Sequence, residues 1–520
     1  MNGNYYDAIV PDTLDLAERA KLSVKNLTGM IDTKNFFEPY HTADLMADPP
    51  YMNHMTGGCC TPKVMEALMM TRSMCGSGEG IEEENGMLDW ILSSIDENGL
   101  WWLKSENRPW QNFYGGDCVC TCMSARLIIV LLKLDRTELA KKMIDGLLSI
   151  MKADGGHLFF PDDLFFRDGW RLNEHGYGAS VFSGQQIRTY GELIRALMLV
   201  NEKTGDVSVF DTAKKLLPPL MNEHFWKPTK DADMIDSFAH AHWQGHVHTH
   251  FAAAWGVLEY AVSSNDASLK RWSRDFYEYI RFFGLPRIGF FPAVIGDHGD
   301  HVKAVVGHTA DEFGYDPNEE NIYSSQPSES CATADAVCFA IRLCDAGIGD
   351  YWEDVDQYVR NNLAEMQLTS FEDIKALSAV GDNRPFNLEY MSRDNITEKN
   401  IGAFLSISDP GASYGYWTIC CVGNCNTALY RAWESIVRFD GGTAEVNLLL
   451  NRASPWLDID SYLPFEGKAV VKNKTASQIH IRIPVWADKK SVSSAINGKT
   501  TECIWCGQYL VYGGMKSGDE

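Results

Sequence analysis

Two adjacent thiols, Cys420 and Cys421, sit in the run Tyr-Trp-Thr-Ile-Cys-Cys-Val-Gly-Asn from Tyr416 to Asn424. Beside a glycine, such a pair can turn both sulfurs toward one ion, and thiolates are ligands that zinc favours. The same dipeptide also reads as two small buried residues, and Cys59-Cys60 is a second instance of it. Glu329-Ser330-Cys331 puts a carboxylate and a thiol two residues apart, just before a helix expected from Thr333. They could share a metal, or form a charged first turn that favours the helix dipole with a core cysteine behind it. Glu329, Cys331, Cys420 and Cys421 together offer one oxygen and three sulfurs, a set that suits tetrahedral Zn2+.

Other residues carry weaker signals. In Asp311-Glu312-Phe313-Gly314 a carboxyl group stands beside an aromatic ring in a long loop. In a closed loop that setting raises its pKa toward that of a general acid, whereas in an open one Glu312 is a solvated loop residue. The run from Ala239 to Phe251 holds His240, His242, His246, His248 and His250. On a strand the last three share a face, and on a helix His246 and His250 lie one turn apart. A Gly245-His246 step before an apolar helix reads best as a polar helix start facing a cavity. Substrate hydrogen bonding by His246 and His248 is therefore preferred to metal ligation. Cys118, Cys120 and Cys122 alternate without the two-residue spacer of structural zinc sites and read as small buried residues. Cys503 and Cys506 have that spacer but no companion pair.

The elements that must position these groups are mostly helical. Apolar residues recur at three and four over Val64–Met74, Leu88–Ile95, Ala125–Leu134, Ala140–Met151, Tyr190–Lys203 and Phe210–Met221. The same spacing continues over Phe251–Ala261, Leu269–Phe283, Thr333–Asp345, Trp352–Met366 and Thr427–Val437. Paired helices in such number close as a solenoid or as a ring of hairpins. Segments rich in Gly, Trp, Asp and His (Trp101–Asp117, Asp154–Gly184 and Phe290–Glu329) interrupt them, and loops of that length usually carry function. After residue 440 the pattern becomes β: Glu445–Leu450, Trp456–Tyr462, Lys468–Lys472, Gln478–Pro484 and Tyr509–Tyr512 alternate or are β-branched. The expected domains are 1–438, helical and catalytic, and 439–520, an antiparallel β-sandwich that is small enough to be incomplete.

Composition narrows the class of partner. The 520 residues are 45% hydrophobic, enough for a large core, and carry a net charge of −24. Such a surface repels phosphate backbones and anionic lipid, so neither nucleic acid nor a membrane is expected, while a neutral sugar is compatible. A homodimer is left open. The start, MNGNYYDAIV, lacks a basic segment followed by a long apolar run, which makes the cytoplasm the expected location. The 14 cysteines are then reduced thiols rather than a disulfide framework.

From about residue 185 onward the chain resembles the β-L-arabinofuranosidases of glycoside hydrolase family 127. The resemblance rests on Pro327-Ser-Glu-Ser-Cys-Ala332, Cys420-Cys-Val-Gly-Asn424, Ala432-Trp-Glu-Ser435, Ile481-Arg-Ile-Pro-Val-Trp-Ala487 and Ile496-Asn-Gly498. It implies an (α/α)6 barrel followed by β-sandwich domains, and zinc held by Glu329, Cys331, Cys420 and Cys421. It also implies a retaining mechanism on a glycoside or oligosaccharide, with Cys420 as nucleophile and Glu312 as acid/base. His246 becomes a sugar-binding residue. The family often shows Gly-His in an earlier helix, where this chain has Gly191-Glu192. A carboxylate at Glu192 changes the hydrogen-bond pattern of that subsite. Two other readings stand beside this one. An epimerase or lyase on the same barrel would rely on histidines near His246 and not on Cys420. A non-catalytic sugar-binding zinc protein would keep the thiols and tolerate loss of Glu312.

Overall fold

The computed structural model describes residues 5–6, 9–54, 59–172, 187–221, 245–295, 328–378, 389–409, 412–413 and 415–520. Its main helices are α1 (Leu16–Gly29), α2 (Thr61–Cys75), α3 (Ile81–Ser93), α4 (Thr121–Lys133) and α5 (Thr137–Ile150). They continue with α6 (Ile187–Thr204), α7 (Val209–Leu220), α8 (Val247–Ser263), α9 (Ala267–Arg281) and α10 (Ser330–Asp345). The last four are α11 (Trp352–Tyr358), α12 (Phe371–Ser378), α13 (Ile396–Asn400) and α14 (Ile419–Ser435).

Burial sorts these helices into two layers. In α8 every residue from His248 to Leu258 is buried, and α4 is buried from Thr121 to Leu132. Helix α9, by contrast, buries only Trp272, Ser273, Phe276, Tyr277 and Ile280, a stripe at three-and-four spacing with a polar opposite face. Its start is fixed by Asp266, whose carboxylate accepts from the N–H groups of Ser268 and Leu269 at 2.8 and 3.0 Å. The inner helices pack in the order α2, α4, α6, α8, α10, α14, and α14 returns to α2. Each has an outer companion: α3 on α2, α5 on α4, α7 on α6, α9 on α8 and α11 on α10, with α1 lying on both α2 and α14.

The crossing of α6 and α8 depends on glycine. A Cβ on Gly191 would lie 2.1 Å from the Ala252 carbonyl oxygen, and one on Gly256 would lie 2.5 Å from Gly191 Cα. The two backbones meet directly, which only residues without a side chain allow.

A small antiparallel sheet lies beside the inner helices, in the order Met391–Ser392, Tyr51–Asn53, Thr42–Asp44, Tyr416–Thr418. Its last strand runs straight into α14. The C-terminal strands form open sheets. A five-stranded sheet has the order Val437–Asp440, Thr443–Val446, Gln478–Arg482, Tyr509–Gly513, Trp505–Cys506. A three-stranded one comprises Arg452–Ala453, Leu457–Ser461 and Ala469–Asn473.

One pairing departs from the antiparallel expectation: Thr443–Val446 and Gln478–Arg482 run parallel. The chain leaves the larger sheet after Val446, builds the smaller one and re-enters in the same direction, a crossover that a parallel pair requires. Arg482 pairs with Glu353 at 2.7 Å and Arg360 donates to the Leu449 carbonyl at 2.6 Å, so strands and helices are joined by buried polar contacts. No helix among the described residues is long and apolar enough to cross a membrane.

Gly191→Ala and Gly256→Ala should each lower the stability to urea unfolding by about 3 kcal/mol, because a methyl group must push two backbones apart. A loss below about 0.5 kcal/mol, the range of ordinary surface changes, would show that the crossing tolerates separation.

Candidate active site

Two helix starts converge here. The segment Ser328–Ser330 is stitched on both sides: Ser328 bridges Pro292, Glu329 bridges Ile407, and the Ser330 N–H donates to Ser406 O at 2.9 Å. Helix α10 then begins, with Glu329 as its extended cap and Cys331 in its first turn. On the other side Tyr416–Thr418 pairs with Thr42–Asp44, and the Ile419 N–H donates to His41 O at 2.7 Å as α14 begins. Cys420 and Cys421 therefore lie in the first turn of α14, facing that of α10.

The sulfurs of Cys331 and Cys421 are 3.1 Å apart, and those of Cys420 and Cys421 are 3.9 Å apart. All three thiols lie within 4.8 Å of one another. Glu329 Oε1 is 3.7 Å from the Cys421 sulfur. Sulfurs at the corners of a zinc tetrahedron are about 3.8 Å apart, from bonds of about 2.3 Å. The set fits such an ion once Cys331 and Cys421 part by a few tenths of an ångström.

The surroundings orient each group. Glu329 Oε2 accepts from His246 Nε2 at 2.6 Å, while His246 Nδ1 faces Thr249 Oγ1 at 3.0 Å. Thr418, in the cap position of α14, makes no backbone cap. Its hydroxyl lies 3.2 Å from the Cys420 sulfur and 2.9 Å from Ser406 Oγ. Asn424, one turn beyond Cys420, donates to Cys331 Sγ at 3.2 Å. Behind the thiols, Lys63 Nζ lies 3.2 Å from His248 Nε2, and His248 Nδ1 lies 2.5 Å from Asp335 Oδ2. An ammonium group can only donate, so His248 accepts at Nε2 and carries its proton on Nδ1, directed at Asp335.

The electrostatics single out Cys420. Hydrogen bonds from the Cys331 and Cys421 thiols, with help from the Lys63 charge and the Thr418 hydroxyl, hold its pKa well below that of an ordinary thiol despite burial. Burial pushes Cys331 and Cys421 well up. Burial also works against the Glu329 charge, but the adjacent imidazole of His246 outweighs it and the carboxyl stays below its usual range. His248 is held neutral by burial and by the neighbouring ammonium.

Glu192 sits in the wall of the interior. It pairs with Arg126 and Arg195, each at 2.8 Å, and lines a small cavity with His248, Trp255, Asp335 and Asn424. Glu312, His240 and His242 fall outside the described residues. Cys118, Cys120 and Cys122 are buried, and burial raises all three, Cys118 and Cys122 to about 12. Cys59 and Cys60 do approach the site: their sulfurs are 3.8 Å apart, and Cys60 feels the charges of Cys420 and Lys63. Lys63, Asp335 and the Thr418 hydroxyl were not singled out by the sequence. Lys63 stands beside a helix-starting Thr61-Pro62 with nothing to mark it, and only Asn424 stood in a quoted motif.

No family model matches the chain, and no curated protein matches its sequence. Solved structures do match in fold. A GH127 β-L-arabinofuranosidase from Geobacillus stearothermophilus T6 is 13% identical at a TM-score of 0.52, over 98% of this chain and 75% of that one. A GH127 β-arabinofuranosidase is 14% identical at a TM-score of 0.54, over 97% of this chain and 75% of that one. A sugar epimerase from a ruminal bacterium is 14% identical at a TM-score of 0.51, over 81% of this chain and 98% of that one. The protein thus has the fold of these carbohydrate enzymes.

After treatment with a chelator, iodoacetamide should label Cys420 before Cys331 and Cys421. Because its pKa is depressed, that labelling should persist as the pH falls from 8.5 to 6.5, where a free thiol slows by about tenfold per unit below its pKa. Peptide mapping that finds Cys331 or Cys421 modified first would overturn this order.

Proposed function

We propose that this protein is a retaining, zinc-dependent glycoside hydrolase acting on β-L-arabinofuranosides or related glycosides. The observation that supports it most is the meeting of Glu329, Cys331, Cys420 and Cys421 at two facing helix starts. The cyclic packing of six inner helices with outer companions is read as an (α/α)6 barrel spanning residues 1–438. The strands from 439 to 520 are read as a β-sandwich domain packed against it.

In this reading Zn2+, when bound by Glu329, Cys331, Cys420 and Cys421, keeps the thiols ionised at neutral pH. Cys420 attacks the anomeric carbon through its sulfur, with Thr418 holding the sulfur's direction from one side. Glu312, assigned from the family resemblance, donates a proton to the leaving oxygen. It then takes a proton from the water that releases the sugar from Cys420. His246 holds Glu329 in place and borders the sugar site. Glu192 and His248 shape the wall of that site: their polar atoms are committed to Arg126 and Arg195, and to Lys63 and Asp335. The carboxylate at Glu192 makes the exact sugar a matter for a substrate panel.

The epimerase-like fold match raises a second reading, in which a histidine acts as base. The ring nitrogens of His246 and His248 all face protein partners, which favours the thiol-based chemistry.

Purified protein should contain about one zinc per chain, set by one four-ligand site. Replacing the nucleophile in Cys420→Ser should slow hydrolysis of an aryl furanoside by at least about 10³-fold. Glu312→Gln should slow alkyl glycosides far more than p-nitrophenyl ones, because p-nitrophenolate leaves without a proton. Hydrolysis indifferent to Cys420 would move the assignment to the histidine-based reading.

A further inference from the structure

Lys63 is an unusual residue to find in this position. It belongs to the first turn of α2, its side chain is 2% exposed, and it lies among thiols. Its stem passes α14 at Gly423, where a Cβ would come within 2.7 Å of Lys63 Cβ. The glycine two residues after Cys421 thus gives the lysine its channel. At the end of that channel the ammonium meets His248 Nε2, and His248 is braced in turn by Asp335 from α10. A long flexible side chain is thereby held by three inner helices other than its own: α8, α10 and α14.

Charge gives the arrangement its purpose. A divalent ion bound by three thiolates and a carboxylate leaves a net charge of about −2 in a buried site, which is costly without a nearby cation. Lys63 is the cation whose charge acts on both Cys331 and Cys420. Burial opposes its ionisation, yet those thiols keep it protonated, with its pKa above the ordinary value. His248 cannot share this task, since it accepts from the ammonium and stays neutral.

We propose that Lys63 is the built-in counter-charge of the thiolate cluster, a positioning residue clamped by His248 and Asp335 that lets the buried site hold a divalent metal tightly. This rests on the zinc-thiolate reading above and adds a residue to it. Lys63 touches neither the metal nor the sugar; it acts by offsetting the excess negative charge of the ligand set.

The test is metal affinity, measured by competition with a chromophoric chelator on the full chain, for wild type, Lys63→Met and Lys63→Arg. Cobalt substitution supplies a second readout, because sulfur-to-cobalt charge-transfer bands report whether all thiolates still bind. Lys63→Met should bind zinc about 100-fold more weakly, at the upper end of effects from groups that support metal ligands, and should show weakened charge-transfer bands. Lys63→Arg, which keeps the charge, should recover most of the affinity. If Lys63→Met does not fold, Lys63→Gln carries the same comparison. A wild-type protein that binds neither zinc nor cobalt overturns the zinc reading itself. A wild type that binds both while Lys63→Met binds within about threefold of it overturns the counter-charge alone, since a factor of 3 corresponds to well under 1.4 kcal/mol.

Discussion

The contact between the first turns of α10 and α14 is the constraint on which the rest of the structure depends. Three sulfurs and a carboxylate converge only if both helices start at fixed points and face each other. Neither start is free to drift. Ser328–Ser330 is bridged to Pro292 and to Ser406–Ile407, and Thr418 is paired to Thr42 while hydrogen-bonded to Ser406. Ser406 therefore serves both helices, through its carbonyl to Ser330 and its hydroxyl to Thr418. Cys425 extends the contact by one turn, with its sulfur 3.6 Å from the Ser330 carbonyl.

Beyond this contact the inner ring is held as much by charge as by apolar packing. Glu66 of α2, Arg126 and Lys133 of α4, and Glu192 and Arg195 of α6 form one buried network. Glu259 of α8 and Arg342 of α10 form another pair at 2.8 Å, and Arg195 stacks over Trp255 of α8. Buried pairs of this kind contribute little net stability, but removing one partner strands the other. They fix which helix faces which. The ring can then present an acidic cluster on one side without the helices sliding to relieve it.

Much of this fold could be read from residue spacing, and the parts that could not have physical reasons. Eleven helices were expected, and each has a counterpart close to its predicted place. Their starts were set too late, by eight residues at α14, because the first turns carry Cys, Gly and Asn rather than an apolar stripe. Those first turns are where the ligands lie, so the site was legible as residue types but not as helix geometry. Helix α1 was missed: its mean character is polar, and its buried face includes Ser23, Asn26 and Thr28. The helix expected over Trp352–Met366 stops at Tyr358 and passes into a π turn over Val359–Leu363. No local residue announces that change. Lys63 and Asp335 were invisible for a different reason: their roles exist only across helices, and a lone lysine or aspartate has no spacing to betray it.

The N-terminal segment is tied to the C-terminal strands. Thr13 Oγ1 donates to Ser461 O at 2.6 Å, and Asn451 Nδ2 donates to Thr13 Oγ1 at 2.8 Å. Helix α1 also leans on α14, the last member of the ring. A ribosome makes the chain from one end, so α1 and the exposed flank of α2 must wait for α14 to emerge before they find their partners. Such long-range closure is slow and leaves apolar surface uncovered in the meantime. The thiol cluster is completed by that same late helix. During synthesis Cys331 is therefore made well before the two cysteines that will face it, and the growing chain holds no complete metal site until nearly all of its helices exist.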